Sequence, residues 1–190
     1  SRNTSAVSGR GNYCPELDVL EANKFAAQGT PHICNGTNRG PGFYPMCDWH
    51  GCATAVFNQS KTAMCPSASC TIDTTRPFRH AVSFPLRRST ASADDEGTLT
   101  SIRNSFTQDG RSFEWESCTG NINAEWTGGD STEYLRSMQA NLREGMVMTL
   151  SLWGLSNAGM SWLDGPTGCA GDCDVSASIV SFSDVALNNL

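Results

Sequence analysis

Nine cysteines in a chain of 190 residues constrain the fold more than any other feature of this sequence. Cysteines at this density are typical of chains that fold in an oxidising compartment, where disulfides form and persist. Their spacing does not fit zinc, because no paired Cys-x2-Cys motifs stand with a matching histidine set. We therefore expect a secreted protein with disulfide-stapled loops. Three sequons, at Asn3, Asn35 and Asn58, agree with secretion and mark candidate glycosylation sites.

The composition limits the classes of partner. Charged residues make up 17% of the chain and the formal net charge is -6, so nucleic acid and anionic membranes are poor partners. No apolar run reaches the roughly 18 residues of a membrane-spanning helix. A neutral polymer such as a polysaccharide is compatible with this charge, and we expect no cofactor and no metal ion. Because no signal peptide is present, we expect the sequence to be a processed or cropped product.

Alternation of apolar and polar residues predicts strands in the middle of the chain. Two short candidates cover residues 71–75 and 78–84, and in the second the aromatic and aliphatic side chains share one side with His80. A third segment, residues 102–115, contains Asp109-Gly110. An Asp-Gly pair between extended segments is a strong hairpin signal, so we expect two antiparallel strands there.

The clearest strand pattern covers residues 145–153. Methionine and leucine fill its even-numbered positions, which we expect to face the core. The other face is mostly polar and ends in Trp153, which suits the wall of a cleft. Residues 175–187 alternate in the same way and predict a last strand.

One segment has helical spacing instead. Residues 131–143 carry apolar side chains at intervals of three and four, with Ser131 or Thr132 as the expected N-cap and Gly145 as the terminator. We find no internal repeat and no second domain in residues 1–190. A mainly β chain with stapled loops and one short helix favours a β-sandwich or jelly roll.

Three carboxylates, Glu16, Asp18 and Glu21, stand within six residues. In a strand Glu16 and Asp18 point the same way, and one extra residue in a bulge would return Glu21 to that face. Two carboxyl groups on one cleft wall are what glycoside hydrolysis requires: one attacks the anomeric carbon or activates water, and the other protonates the leaving oxygen. The alternatives are a solvated acidic turn, or a calcium site built from the same oxygens.

Several short motifs extend this interpretation. They are Glu-Leu-Asp-Val-Leu-Glu-Ala-Asn at residues 16–23, with further motifs at 30–34, 48–52, 71–75, 150–153 and 162–164. In this order they resemble the family 7 glycoside hydrolases, the cellobiohydrolases and endoglucanases that cut β-1,4-glucan. The resemblance spans residues 10–187 and corresponds to the second half of the family's catalytic domain. It implies a concanavalin-like β-sandwich that is incomplete in this chain.

The resemblance also implies a retaining mechanism. Glu16 resembles the nucleophile, Glu21 the acid/base, and Asp18 the hydrogen-bond partner that steers Glu16. Retention predicts that the Glu16 and Glu21 carboxyl groups lie about 5–5.5 Å apart. Glu21 would then need a raised pKa, supplied by burial and by the charge on Glu16.

Four further residues are implied in substrate binding. His32 matches a histidine beside the acid/base, and its alternative is a buried structural histidine. Trp153 and Trp162 resemble sugar platforms on either side of the scissile bond, since an indole offers a flat face to a pyranose and an N–H to a hydroxyl; their alternative is the core. Arg39 matches an arginine on the product side, within a loop of different length.

The sequence departs from the family in two kinds of feature. Leu20 stands where the family usually has tryptophan, and Gly154-Leu155 stands where acidic residues usually follow the strand tryptophan. These changes indicate an altered cleft. The family's domain is also about twice as long, and a half-sandwich would expose strand edges. We therefore expect this chain to be part of a larger polypeptide, or to be completed by neighbouring chains.

The resemblance assigns most of the cysteines to disulfides. The implied pairs are Cys34 with Cys47, Cys52 with Cys118, and Cys65 with Cys70. Cys169 and Cys173 bracket a short loop and are a fourth, local candidate. The family partner of Cys14 would lie upstream of Ser1, which makes Cys14 the candidate link to the completing half.

Three functions follow from these patterns. The first is a retaining endo- or exo-β-1,4-glucanase acting on a cellulose-like polysaccharide. The second is a non-catalytic, secreted structural or glycan-binding glycoprotein on the same scaffold, and the third is a calcium-stabilised, lectin-like jelly roll. The acids favour the first, because a pure scaffold has no need to hold three like charges together.

Overall fold

The computed structural model describes residues 2–3, 12–35, 44, 46–56, 60–89, 96–119, 126–154, 161–164 and 179–186. Strands dominate the described residues, in this order: β1 Arg2–Asn3, β2 Asn12–Tyr13, β3 Glu16–Ala22, β4 Ala27–His32, β5 Cys34–Asn35, β6 Met46–Cys47, β7 Thr54–Ala55, β8 Met64–Cys65, β9 Ile72–Asp73, β10 Arg79–Ser83, β11 Leu86–Arg87, β12 Thr98–Leu99, β13 Ile102–Gln108 and β14 Arg111–Ser117. Two helices follow, α1 Ser131–Glu144 and α2 Ser161–Asp164.

Two sheets of three strands organise the described part of the chain. One has the order β10-β13-β14 and the other the order β3-β4-β7, and both are antiparallel. The remaining strands form two-stranded ladders, of which β8–β9 is parallel. The predicted strand at 71–75 is thus reduced to β9, whereas β10 covers most of the predicted strand at 78–84.

The β13–β14 hairpin confirms the Asp-Gly prediction. Gln108 pairs with Arg111, so the turn consists of Asp109 and Gly110 alone, with φ of 49° and 76°. Positive φ at both turn positions matches the twist of the flanking strands. Phe106 and Trp115, from the two strands, stack with ring centroids 4.9 Å apart and form the centre of one core cluster.

Helix α1 covers a second core cluster. Tyr134, Leu135 and Met138 are buried against residues that include Leu99 and Ile102. The helix extends one residue beyond its predicted end and is terminated by Gly145, as expected. The predicted N-cap of this helix, however, was wrong.

Asp130, not Ser131 or Thr132, caps α1. Asp130 has extended backbone angles, φ −85° and ψ 114°, and its carboxylate accepts a hydrogen bond from the Thr132 N–H at 2.8 Å. All three residue types cap well, so the backbone conformation decides which one does.

The clearest strand prediction was wrong. Residues 145–154 form neither strand nor helix. The side chains expected in the core are exposed, from 37% at Met146 to 58% at Met148. Among the described residues no strand pairs with this segment. A period-two pattern becomes a strand only where a neighbouring backbone supplies hydrogen bonds.

The predicted last strand is also absent where it is described. Residues 179–186 form no strand, and Ile179 is exposed; residues 175–178 and 187 lie outside the described part. Within the described ranges no helix has the length and apolar character needed to cross a membrane.

Among the described residues, three disulfides staple the fold. They join Cys34 to Cys47, Cys52 to Cys118, and Cys65 to Cys70, as the resemblance implied. The fourth candidate, Cys169 with Cys173, lies outside the described residues. The Cys52–Cys118 bond spans 66 positions and ties the loop after β6 to the end of β14.

Candidate active site

The three carboxylates lie on β3, and the expected bulge is present. Opposite β4, Asp18 pairs with Thr30 and Glu21 pairs with Gln28, so β3 contains one residue more than β4 between these pairs. Glu16, Asp18 and Glu21 are all half-buried. The bulge therefore returns the third acid to the sheet face of the first two.

Their cross-strand partners on β4 are polar. Glu16 pairs with His32, and Gln28, Thr30 and His32 alternate along the strand. Directly opposed residues of antiparallel strands share a face, so acids and polar groups meet on one surface.

His32 is held by hydrogen bonds at both ring nitrogens. Nε2 lies 3.2 Å from Asp18 Oδ2, and Nδ1 lies 2.7 Å from the Asp48 carbonyl oxygen. Both neighbours are acceptors, which favours the doubly protonated imidazolium. Burial lowers the pKa of His32, but hydrogen bonds to Asp18 and Asp48 and the charges of Asp18 and Glu16 outweigh it, so the pKa is raised.

The pKa of Glu21 is raised above its ordinary value. Burial is the largest cause of its raised pKa, and the negative charges of Asp18 and, more weakly, Glu16 act in the same direction. A hydrogen bond from the Thr30 hydroxyl to Glu21 Oε2, at 2.9 Å, and the nearby His32 oppose the rise without cancelling it. The carboxyl group thus retains its proton to higher pH than an exposed glutamate.

Thr30 is oriented by a second hydrogen bond. The Gln28 amide donates to the Thr30 hydroxyl at 3.1 Å, so this hydroxyl can direct its own proton at Glu21. Sequence reasoning did not assign a role to either residue. The alternation Gln-x-Thr-x-His in β4 is the signal that would have found both.

The calcium interpretation fits the donor set poorly. Single donor atoms of Glu16, Asp18 and His32 lie within 4.8 Å of one another. Calcium prefers six to eight oxygen ligands, whereas one of these donors is an imidazole nitrogen already paired with Asp18. The cluster is better described as an acid–histidine network.

Asp48 and Tyr134 form a buried layer behind His32. The Asp48 carboxylate accepts hydrogen bonds from the Tyr134 hydroxyl at 2.8 Å and from the His50 N–H at 3.1 Å. Tyr134 belongs to α1, far away in sequence. The sequence suggested only an apolar role for it on the helix, so no signal in the pattern predicted this contact.

The two candidate platform tryptophans stack on each other. The rings of Trp153 and Trp162 lie 5.8 Å apart at 13°, and the residues are 47% and 41% exposed. Each ring therefore covers one face of the other. The pair forms one aromatic surface, to which α2 contributes Trp162. Helix α2 contacts β4, and its Leu163 is buried. The placement of the two rings on either side of the scissile bond stays a prediction.

The structure places two of the four remaining predicted site residues. Arg39 and the sequon residue Asn58 lie outside the described residues, while Asn3 and Asn35 belong to β1 and β5.

Comparison with known proteins gives the family. The model of glycosyl hydrolase family 7 matches residues 1–179. Endoglucanase EG-1 of Trichoderma longibrachiatum is 28% identical over 186 residues, which cover 98% of this chain and 36% of that protein. A probable endo-beta-1,4-glucanase celB of Aspergillus clavatus is 33% identical over 187 residues, covering 86% of this chain and 41% of the relative.

Solved structures agree. The Humicola insolens endocellulase EGI matches with a TM-score of 0.62 and 26% identity, over 88% of this chain and 45% of that one. A cellobiohydrolase of Daphnia pulex matches with a TM-score of 0.60 and 23% identity, over 87% and 46%, which supports the fold alone.

Fold and site together define a β-sandwich protein with a row of carboxylates on one strand, and the predicted mainly β class is confirmed. The chain belongs to glycosyl hydrolase family 7. It spans less than half the length of each relative described above.

Proposed function

We propose that this chain contributes the catalytic carboxylates of a retaining glycoside hydrolase acting on β-1,4-linked glucan. The observation that supports this most is the bulge in β3, which brings Glu16, Asp18 and Glu21 to one face and leaves Glu21 with a raised pKa. The names of two relatives, an endoglucanase and a probable endo-beta-1,4-glucanase, support the choice of substrate.

The proposed reaction has two steps. The Glu16 carboxylate attacks the anomeric carbon while Glu21 donates its proton to the leaving oxygen, and a covalent glycosyl ester forms on Glu16. Glu21, now ionised, then removes a proton from the water that hydrolyses this ester with net retention. Asp18 steers Glu16 and is itself held by His32 at 3.2 Å.

Substrate contacts are proposed for four residues. His32 lies beside the acids and is expected to approach the sugar on the leaving-group side. Trp153 and Trp162 are expected to bind a pyranose on the exposed faces of their stacked pair. Arg39 is proposed to contact the product side.

We further propose that the sheet is completed by polypeptide outside these 190 residues, either an N-terminal half or neighbouring chains. Residues 145–154 and 179–186 support this, because they combine strand-like alternation with exposed apolar side chains and yet form no strand. The relatives are more than twice as long as the matched region. The disulfides and sequons support an extracellular location for the complete protein.

The test is hydrolysis of soluble β-glucan by the complete protein, with the anomeric configuration of fresh product followed by NMR. We expect β-configured product first. Glu16→Gln should abolish turnover, and Glu21→Gln should reduce it by about 10²- to 10⁴-fold. Glu116→Gln is the matched control, since Glu116 forms an exposed ion pair with Arg103 and should leave the rate unchanged.

Two results would contradict the proposal. Turnover by Glu16→Gln at the parent rate would remove the nucleophile from the mechanism, and α-configured product would indicate inversion. Binding of glucan by the parent protein without any turnover would favour the non-catalytic glycoprotein instead.

A further inference from the structure

The loop 47–52 is fixed at both ends beside the site. Cys47 is bonded to Cys34, and Cys52 is bonded to Cys118. The loop also bonds to the chain at the end of β4, through Asp48 N–H to the Ile33 carbonyl at 2.8 Å and Cys52 N–H to the Pro31 carbonyl at 2.9 Å. The Asp48 carbonyl that receives His32 Nδ1 therefore belongs to an anchored backbone.

Tyr134 holds this loop from the other side. It is fully buried, and its hydroxyl lies 2.8 Å from Asp48 Oδ2 and 3.0 Å from the Pro31 carbonyl, while the Ile33 N–H donates to it at 3.3 Å. Burial and the Asp48 carboxylate raise the pKa of this phenol, so it remains a neutral donor. One hydroxyl thus joins α1 to both the loop and β4.

Gly51 fixes the imidazole ring sterically. Its φ is +66°, and a Cβ on it would lie 2.6 Å from Cε1 and 2.7 Å from Nδ1 of His32, and 2.5 Å from Cγ2 of Thr30. The loop backbone consequently packs against the ring, and only glycine leaves room for it. His32 is confined by Asp18 at Nε2, Asp48 at Nδ1 and Gly51 between them.

We propose that Tyr134, Asp48 and Gly51 are positioning residues, which hold the loop 47–52 so that its backbone keeps the His32 ring directed at Asp18. They act through His32 and touch no reacting atom. The effect on hydrolysis rests on the proposed function, whereas the effect on the state of His32 does not.

The electrostatic surroundings give the direction of the effect. Asp18, Glu16 and Glu21 face His32 from β3, and from the loop come the Asp48 carboxylate, which Tyr134 and the His50 N–H engage, and exposed His50. Without the Tyr134 hydroxyl, the buried Asp48 carboxylate retains the His50 N–H as its one donor among the described residues, and it is driven to move toward water. The Asp48 carbonyl then shifts relative to Nδ1, which weakens one of the hydrogen bonds that favour the charged form of His32.

The experiment is an NMR titration of the His32 imidazole in the complete protein and in Tyr134→Phe. We expect the apparent pKa of His32 to fall by roughly one pH unit in the variant. Gly51→Ala should shift it in the same direction by displacing the ring directly. Met138→Ala is the matched control, because it weakens the packing of α1 in the same core cluster without touching the hydroxyl, and it should leave His32 unchanged.

The positioning role also predicts a direction for the change in the pH dependence of hydrolysis. A less charged His32 opposes the rise in the Glu21 pKa less strongly, so the upper pH limit of kcat/KM should move to higher pH in Tyr134→Phe. A purely structural role would lower the rate without moving this limit.

An unchanged His32 titration in folded Tyr134→Phe, or an equal shift in Met138→Ala, would overturn the proposal. If Tyr134→Phe does not fold, Asp48→Asn decides: it keeps an acceptor for the His50 N–H but offers Tyr134 an uncharged partner, and a downward shift is again expected. If the parent protein does not hydrolyse glucan, the proposed function fails while the His32 titration still tests the positioning.

Discussion

Two segments that the sequence predicts as strands end in opposite environments. The strand Ile102–Gln108 alternates between buried and solvent-facing residues, and its Ile102 and Phe106 are fully buried. Residues 145–153 alternate at least as regularly, yet Leu150 and Leu152 are each 47% exposed. The hydrophobic pattern alone therefore does not distinguish the two.

The two segments differ in whether a neighbouring strand pairs with them. Ile102–Gln108 meets its first partner after a two-residue turn, and Arg79–Ser83 adds on its other side. Residues 145–153 begin at the glycine that ends α1 and meet no described strand. Alternation predicts which faces a strand would have, whereas pairing decides whether the strand forms.

The largest expected effect is in amide hydrogen exchange. In the 190-residue chain, amides of Ile102–Gln108 should exchange on the order of 10³-fold or more slowly than those of 146–153, because only the former are in a ladder within a core. Exchange read by mass spectrometry or NMR checks this. Slow exchange at 146–153 in this chain would break the comparison, and slow exchange there in the complete protein alone would sharpen it.

Truncating an apolar side chain to alanine should have different effects on the free energy of unfolding in the two segments. Phe106→Ala should cost about 3–5 kcal/mol in the free energy of unfolding, since it removes a fully buried ring, whereas Leu150→Ala should cost less than about 1 kcal/mol in this chain. Denaturant unfolding measures both. Equal costs would mean that Leu150 is packed in solution.

Removal of disulfides tests how much each of them stabilises the part of the chain that forms paired strands. In the chain-entropy model, replacing Cys52 and Cys118 together should cost about 4 kcal/mol because the bond spans 66 positions. Replacing Cys65 and Cys70, five positions apart, should cost about 2 kcal/mol. The unfolding midpoints of the two double variants give the order, and a reversed order would assign the stabilisation to local geometry.

The smallest effect concerns Glu21 and pH. Its folded pKa lies above the ordinary 4.5, so the folded state binds this proton more tightly and loses stability as pH rises through the folded pKa. Glu21→Gln should lack this loss. Its free energy of unfolding should therefore rise relative to that of the parent above pH 4.5. Solvent screening keeps the gain well under about 1 kcal/mol.

Unfolding midpoints against pH measure that gain, with Glu116→Gln as the exposed control. A difference in stability between the parent and Glu21→Gln that moves in favour of the parent as Glu21 ionises would contradict the raised pKa. The same titration of Leu150→Ala should match the parent, because residues 145–153 carry no part of the acid network.

Local signals explain which parts of the fold were predictable. Asp109-Gly110 specified the hairpin because its backbone preference is intrinsic to the two residues. The helix and its first residue were found from the period, but the N-cap was misjudged because Asp130 and the next two residues all cap well. The missing strand at 145–153 needed knowledge of a neighbour that the pattern does not contain.

The site divides in the same way. The spacing of Glu16, Asp18 and Glu21 indicated the bulge, since one extra residue is needed to bring all three to the same face. The contact between Asp48 and Tyr134 joins residues 86 positions apart, and no local rule reaches that far. The sequence also did not indicate that Trp153 and Trp162 stack on each other.

The two-residue turn of the hairpin also has a kinetic consequence. Hairpins of this kind form in about 1–10 μs, whereas protein disulfides form over seconds to hours. Cys118 directly follows the last residue of that hairpin, Ser117. While the chain is still reduced, this thiol is therefore already attached to ordered structure, and only the Cys52 end has to search for its partner.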